Sequence, residues 1–80
     1  MSREQIFEQL NSIFQELFDL PELIISDSTT AADVDGWDSL MHITLISEVE
    51  SAFDMRFDMK DVIGMKNVGE MVDRIIAHLS

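Results

Sequence analysis

Eighty residues with 16 acids against 5 bases, a net charge of −11 and no cysteine make one small acidic domain. Such a chain buries only about 60% of its unfolded surface, which leaves little core for a deep enzyme active site. The charge repels nucleic acid and anionic membranes and favours protein partners with basic patches, and the absence of cysteine excludes a disulfide framework, a thiolate metal site or a thiol of its own. A hydrophobic fraction of 46% is too high for a disordered acidic tail. No window is apolar enough to span a bilayer. The start, Met1-Ser2-Arg3-Glu4-Gln5, lacks the basic-then-apolar pattern of a secretory leader. These features predict a soluble, cytoplasmic monomer.

In chain order, the first predicted helix runs from about Arg3 to Phe18. Ser2 and Gln5 stand at capping-box spacing. Ile6, Leu10, Ile13 and Leu17, flanked by Phe7, Phe14 and Phe18, form one broad apolar stripe. Pro21 is expected to end this helix, because the residue before a proline avoids the helical region. A long connection follows to Trp37, pinned by Leu23, Ile24, Ile25 and Val34, with a polar turn at residues 26–30. A loop this long is uncommon in a compact domain; it is expected here to join two helices of the same sense.

A second helix is predicted from Ser39 to about Phe53. At 100° per residue, Leu45, Ile46, Val49, Ala52 and Phe53 share a core face, and Thr44, Ser47, Glu48 and Ser51 lie opposite. Leu40 and Ile43 fall on the outer side near Ser39, either as a small docking patch or as ordinary surface aliphatics. Asp58 caps a short third helix, about Met59 to Ile63, ended by Gly64. Asn67 and Glu70 frame a further capping box, and Val68, Met71, Val72, Ile75, Ile76 and Leu79 give the fourth helix a single apolar face. The predicted fold is all-α: a small four-helix bundle of three main helices and a short third one, with a long first loop, in a single domain.

The chemistry concentrates in Asp33-Val34-Asp35-Gly36-Trp37-Asp38-Ser39-Leu40. Asp38 is a good N-cap, which puts Ser39 at the first helical position, in water, at the positive end of the helix dipole. A phosphate ester is favoured there. Three other readings compete. An EF-hand loop with its glycine at Gly36 would begin at Ala31 and end at His42, so two of the strongest ligand positions fail; no metal site is expected. Hydrolysis by Ser39 with His42 lacks a nucleophile elbow and any group to orient the imidazole; His42 is expected at the core edge instead, and His78 beside the dipole of the last helix. A non-catalytic acidic adaptor or inhibitor for basic partners fits the composition alone.

The run Gly36-Trp37-Asp38-Ser39-Leu40 resembles the phosphopantetheine-attachment motif of the acyl carrier protein family, whose core is Asp-Ser-Leu at the start of the second helix. The likeness spans essentially the whole chain: the long first loop, Glu50 and Phe53 at Glu-x-x-Phe spacing, the short third helix and Asn67-Val68 opening the fourth. The resemblance implies a non-catalytic carrier. A phosphopantetheinyl transferase would place 4′-phosphopantetheine on Ser39, and the arm's thiol would carry acyl groups as thioesters to partner enzymes of fatty-acid, polyketide or related lipid biosynthesis. It implies partner-binding roles for Asp38, Leu40 and Ile43, joined by Met41, Ser47 and Glu50. It also implies an acyl pocket lined by Leu45, Ile46, Val49, Phe53, Met71 and Ile75. Met41, Thr44 and Ser51 stand where carriers of primary fatty-acid synthesis usually have acids, and Trp37 is similar to carriers of dedicated pathways. An aminoacyl or peptidyl carrier is the rival within the family.

Overall fold

A computed structural model describes residues 1–79, which form four α-helices: α1 (Arg3–Leu17), α2 (Ser39–Phe53), α3 (Met59–Gly64) and α4 (Val68–Leu79), with a 3₁₀ turn at Ala31–Asp33. No strand occurs among the described residues. The all-helical bundle with a short third helix and a long first loop is therefore as expected, with boundaries within one residue.

The caps explain most of those boundaries. Ser2 Oγ accepts the Gln5 backbone N–H and Gln5 returns the bond to Ser2. At its other end α1 stops before Pro21. Asp19 turns left-handed (φ 54°), and the N–H groups of Asp19 and Leu20 close back on Glu16 and Gln15. Asp54 (φ 50°) ends α2 in the same left-handed region. Asp58 precedes the first turn of α3, and its N–H donates to Asp61 Oδ2 at 3.1 Å. At α4 only half of the expected box forms: Asn67 Oδ1 accepts the Glu70 N–H at 2.9 Å, while the Glu70 carboxylate turns to Arg74.

α1 packs against both α2 and α4. Its contribution to the core is Ile6, Leu10 and Phe14; α2 adds Leu45, Ile46, Val49 and Phe53, and α4 adds Val68, Met71, Val72 and Ile75. Three sequence assignments fail at the edges, one of them Leu79, which is 42% exposed at the end of α4. Ala52 is exposed, because the buried face of α2 passes from Val49 to Phe53 and leaves it at the margin. Ile24 is 82% exposed, and Ile25 is the residue that turns inward.

The long loop makes a round trip along α1. It descends through Gln15 Nε2, which donates to the Leu23 carbonyl, and through Asn11 Oδ1, which accepts the Ile25 N–H. It reaches Asp27 beside Arg3, then returns, so that Trp37 packs edge-on against Phe14 with ring centroids 5.2 Å apart. α2 therefore begins beside the end of α1, against the same-sense arrangement. At the turning point the loop caps α4. The Val68 N–H donates to the Thr29 carbonyl (2.9 Å) and the Gly69 N–H to the Asp27 carbonyl (3.0 Å), which satisfies two donors that helix geometry leaves without partners. Arg3 bridges Asp27 and Asp73 and ties α1 to the same junction.

Gly69 is the tightest point of that junction. A Cβ there would lie 2.8 Å from the Asp27 carbonyl oxygen and 2.9 Å from its Oδ1. Gly69→Ala should lower stability by about 1–2 kcal/mol net: overpacking costs about 1–3, and the better helix propensity of alanine returns up to about 1. For a domain of this size that is a fall in Tm of roughly 5–10 °C. Gly64→Ala is the control, since its Cβ would meet only the tip of Arg74 at 3.4 Å. Equal melting temperatures for the two variants would show that the loop yields at no cost.

Candidate attachment site

Ser39 is exposed at the first position of α2. Asp38 holds extended backbone ahead of it and its Oδ1 accepts the Met41 N–H at 2.8 Å, while the His42 N–H closes on the Asp38 carbonyl. The N–H groups of Ser39 and Leu40 are then the two at this terminus with no protein acceptor among the described residues. Together with the dipole of a 15-residue helix they favour an anion at this terminus. Gly36 supplies the bend that delivers the chain here; its φ of +90° is a conformation that side chains rarely adopt.

Behind Ser39 opens a cleft of about 500 Å³. Its walls are the start of α2 (Asp38, Ser39, His42, Ile43), Trp37, Ala31 of the 3₁₀ turn, Val62 and Ile63 of α3, and Met65 and Lys66 beyond it. A hydrogen-bonded relay sets the width. The Trp37 indole N–H donates to His42 Nδ1 at 3.1 Å, and His42 Nε2 lies 3.1 Å from the Val62 carbonyl. Because an indole can only donate, Nδ1 must be the bare nitrogen, and the proton on Nε2 is given to Val62. The imidazole also stacks on the indole, centroids 5.9 Å apart. Both ring nitrogens are engaged, so His42 has none left to take a proton from Ser39. It sits at the core edge as expected and clamps α3 to α2.

The other site candidates divide into three groups. Leu40 and Ile43 are 81% and 63% exposed, flanking Ser39, and Met41 is half-buried between them. Ser47 is exposed further along α2. Glu50 differs: its Oε2 accepts the Phe57 N–H at 2.8 Å and organises the turn into α3, so one oxygen serves the fold. The six candidate pocket residues, Leu45, Ile46, Val49, Phe53, Met71 and Ile75, are all buried and packed in the core cluster, and none of them lines the cleft beside Ser39. Sequence reasoning missed the residues that do, Val62, Ile63, Met65 and Lys66 among them. α3 has six residues, too few for periodicity to show a face.

Elsewhere Asp58, Asp61 and His78 bring one ligand atom each within 4.8 Å of one another. The Asp61 carboxylate already accepts from His78, from the Asp58 N–H and from Arg74 Nε. The His78 bond and then the Asp58 N–H hold its carboxyl below the usual carboxylate range. These partners, with the Arg74 cation among them, account for the cluster without a metal. His78 thus has a partner on α3 in addition to the helix dipole.

With this geometry in place, the comparisons with known proteins are specific. The family described as phosphopantetheine attachment site matches residues 8–75. The acyl carrier protein of Thermotoga maritima is 32% identical over 74 residues, covering 92% of this chain and 91% of that one. The acyl carrier protein of Clostridium perfringens is 32% identical over 73 residues, with 91% and 96% covered. That of Saccharopolyspora erythraea is 27% identical, with 91% and 77% covered. The solution structure of a holo acyl carrier protein from Geobacter metallireducens superposes with a TM-score of 0.85 at 33% identity, covering 91% of this chain and 84% of that one. The match over 68 of 80 positions, the shared fold and an exposed serine at the start of α2 converge, and the chain belongs to the acyl carrier protein family, whose members bear a covalent 4′-phosphopantetheine.

Proposed function

We propose that Ser39 is the attachment residue and that the holo protein carries acyl thioesters on the arm. The observation that carries this reading is the exposed Ser39 hydroxyl at the N-terminus of α2, opening onto the cleft in a chain of this family. The transfer from coenzyme A makes a phosphodiester at Ser39 Oγ and releases the nucleotide portion. The arm then supplies the thiol that the chain itself lacks. The protein's own residues position and present the cargo; the bond-making belongs to the enzymes that visit it. Among the described residues no helix is long and apolar enough to cross a membrane, and the reading places the protein in the cytoplasm.

The proposed docking surface is Asp38, Leu40, Met41, Ile43, Ser47 and the free oxygen of Glu50. Partners with basic patches would be drawn by the overall charge of −11 and seated on Leu40 and Ile43. The proposed pocket lies between α2 and α4, where Leu45, Ile46, Val49, Phe53, Met71 and Ile75 meet. An acyl chain would enter by parting these side chains, and Met71 suits a lining that must adapt. Fatty-acid, polyketide and related lipid pathways all use such a carrier, and an aminoacyl or peptidyl cargo would occupy the same serine.

Incubation with coenzyme A and a broad-specificity phosphopantetheinyl transferase should raise the intact mass by one phosphopantetheine. No shift under conditions that modify a known carrier would favour the acidic-adaptor reading instead.

A further inference from the structure

The chain has five basic residues: Arg3, Arg56, Lys60, Lys66 and Arg74. Arg3 is paired with Asp27 and Asp73, and Arg74 with Asp61 and Glu70. Arg56, Lys60 and Lys66 have no ion-pair partner among the described residues, and Lys66 is exposed; what sets Lys66 apart is its position. Lys66 lies in the wall of the Ser39 cleft, on the segment between α3 and α4, and is the one cation among the residues that line it. The opposite wall holds Asp38, whose Oδ1 is engaged by the Met41 N–H; the rest of the lining is apolar apart from Ser39 and the hydrogen-bonded His42. An unpaired ammonium in the same cleft as an exposed serine complements a negative charge on that serine. The cleft's volume is within the range of small-ligand sites.

We propose that Lys66 is a positioning residue for the prosthetic arm. Resting on the reading of Ser39 above, its ammonium pairs with the phosphodiester formed there and turns the first part of the arm into the cleft, against Trp37, Val62 and Ile63. The pair bridges α2 to the segment after α3, so attachment closes the cleft from its open side as the His42 bonds close it from within. Lysine suits this role because it is a point charge on a flexible stem and needs no fixed fork geometry.

The test is a cycle of four proteins, apo and holo, each with Lys66 or with Lys66→Gln. Intact mass is measured first on every sample. Modification should raise Tm in the Lys66 protein by about 2–4 °C more than in Lys66→Gln, as expected for one partly exposed pair in a domain of this size. The excess should vanish at high salt, and Lys66→Arg should restore it. Backbone and arm relaxation by NMR should show a more mobile arm in holo Lys66→Gln. Lys60→Gln, within α3 but outside the cleft lining, should leave both readouts unchanged. Full modification of all variants with an identical Tm increment and identical arm mobility would overturn the Lys66 pairing and leave Ser39 as the attachment residue. Absence of modification in the wild-type chain would instead overturn the reading on which the pairing rests.

Discussion

Ser39→Ala should fold like the wild type and take up no phosphopantetheine. The side chain is exposed, and no hydrogen bond from its hydroxyl to another described residue holds the fold. The N-cap is Asp38, which the substitution leaves in place with its bond to the Met41 N–H. Surface changes of this kind move stability by less than about 0.5 kcal/mol, so the melting curve should be superimposable. The loss of modification should be complete, because no second acceptor among the described residues shares the geometry. Ser47 and Ser51 lie within α2, where the neighbouring N–H groups already bond along the helix. Intact mass after incubation with coenzyme A and the transferase decides the point. A full phosphopantetheine increment on Ser39→Ala would move the attachment to another serine and dissolve the roles assigned to the cleft.

The second large effect separates the two faces of α2. Leu45 is fully buried and Ile43, two residues earlier, is 63% exposed. Leu45→Ala deletes core volume between α1, α2 and α4 and should cost about 2–5 kcal/mol, a large part of the stability of a domain this small. Ile43→Ala should cost less than about 0.5 kcal/mol yet slow the transferase and partner enzymes, because apolar surface beside the modification point is where a visiting enzyme gains a desolvated contact. Thermal melts and transferase kinetics on the pair give the answer. If Ile43→Ala proves as destabilised as Leu45→Ala, Ile43 belongs to the core and the docking patch is lost.

The sequence was most legible where a single local rule decides the structure. The Ser2–Gln5 box, the Asp38 cap and the Asp58 cap each need only a side chain three residues from a free N–H. Helical periodicity named the buried faces correctly from Ile6 to Ile75, apart from Ala52 at the margin of α2. What stayed hidden depends on contacts far apart in the chain. The end of α1 is set by a left-handed Asp19, a conformation that aspartate tolerates but does not announce. The course of the loop follows from Thr29 and Asp27 meeting Val68 and Gly69 some forty residues on. The cleft was legible on one side only. Ser39 and Asp38 came from the motif, whereas its other wall comes from a helix of six residues and the segment after it, placed there by the His42 bond to the Val62 carbonyl.

That bond has a spectroscopic corollary. The chain contains one tryptophan, and its indole N–H is joined through the His42 ring to the backbone of α3. Its flank rests on Phe14 and Phe18 in the interior, and it also borders the cleft. The fluorophore thus reports on the space beside Ser39 and is anchored to the first helix at the same time. Displacement of α3 removes the Val62 partner of His42, the ring that both accepts the indole N–H and stacks on it, and so should change emission wavelength and quenching together. Loading of the arm, docking of a partner and opening of the cleft can each be followed in the unlabelled protein by the light of its own chromophore.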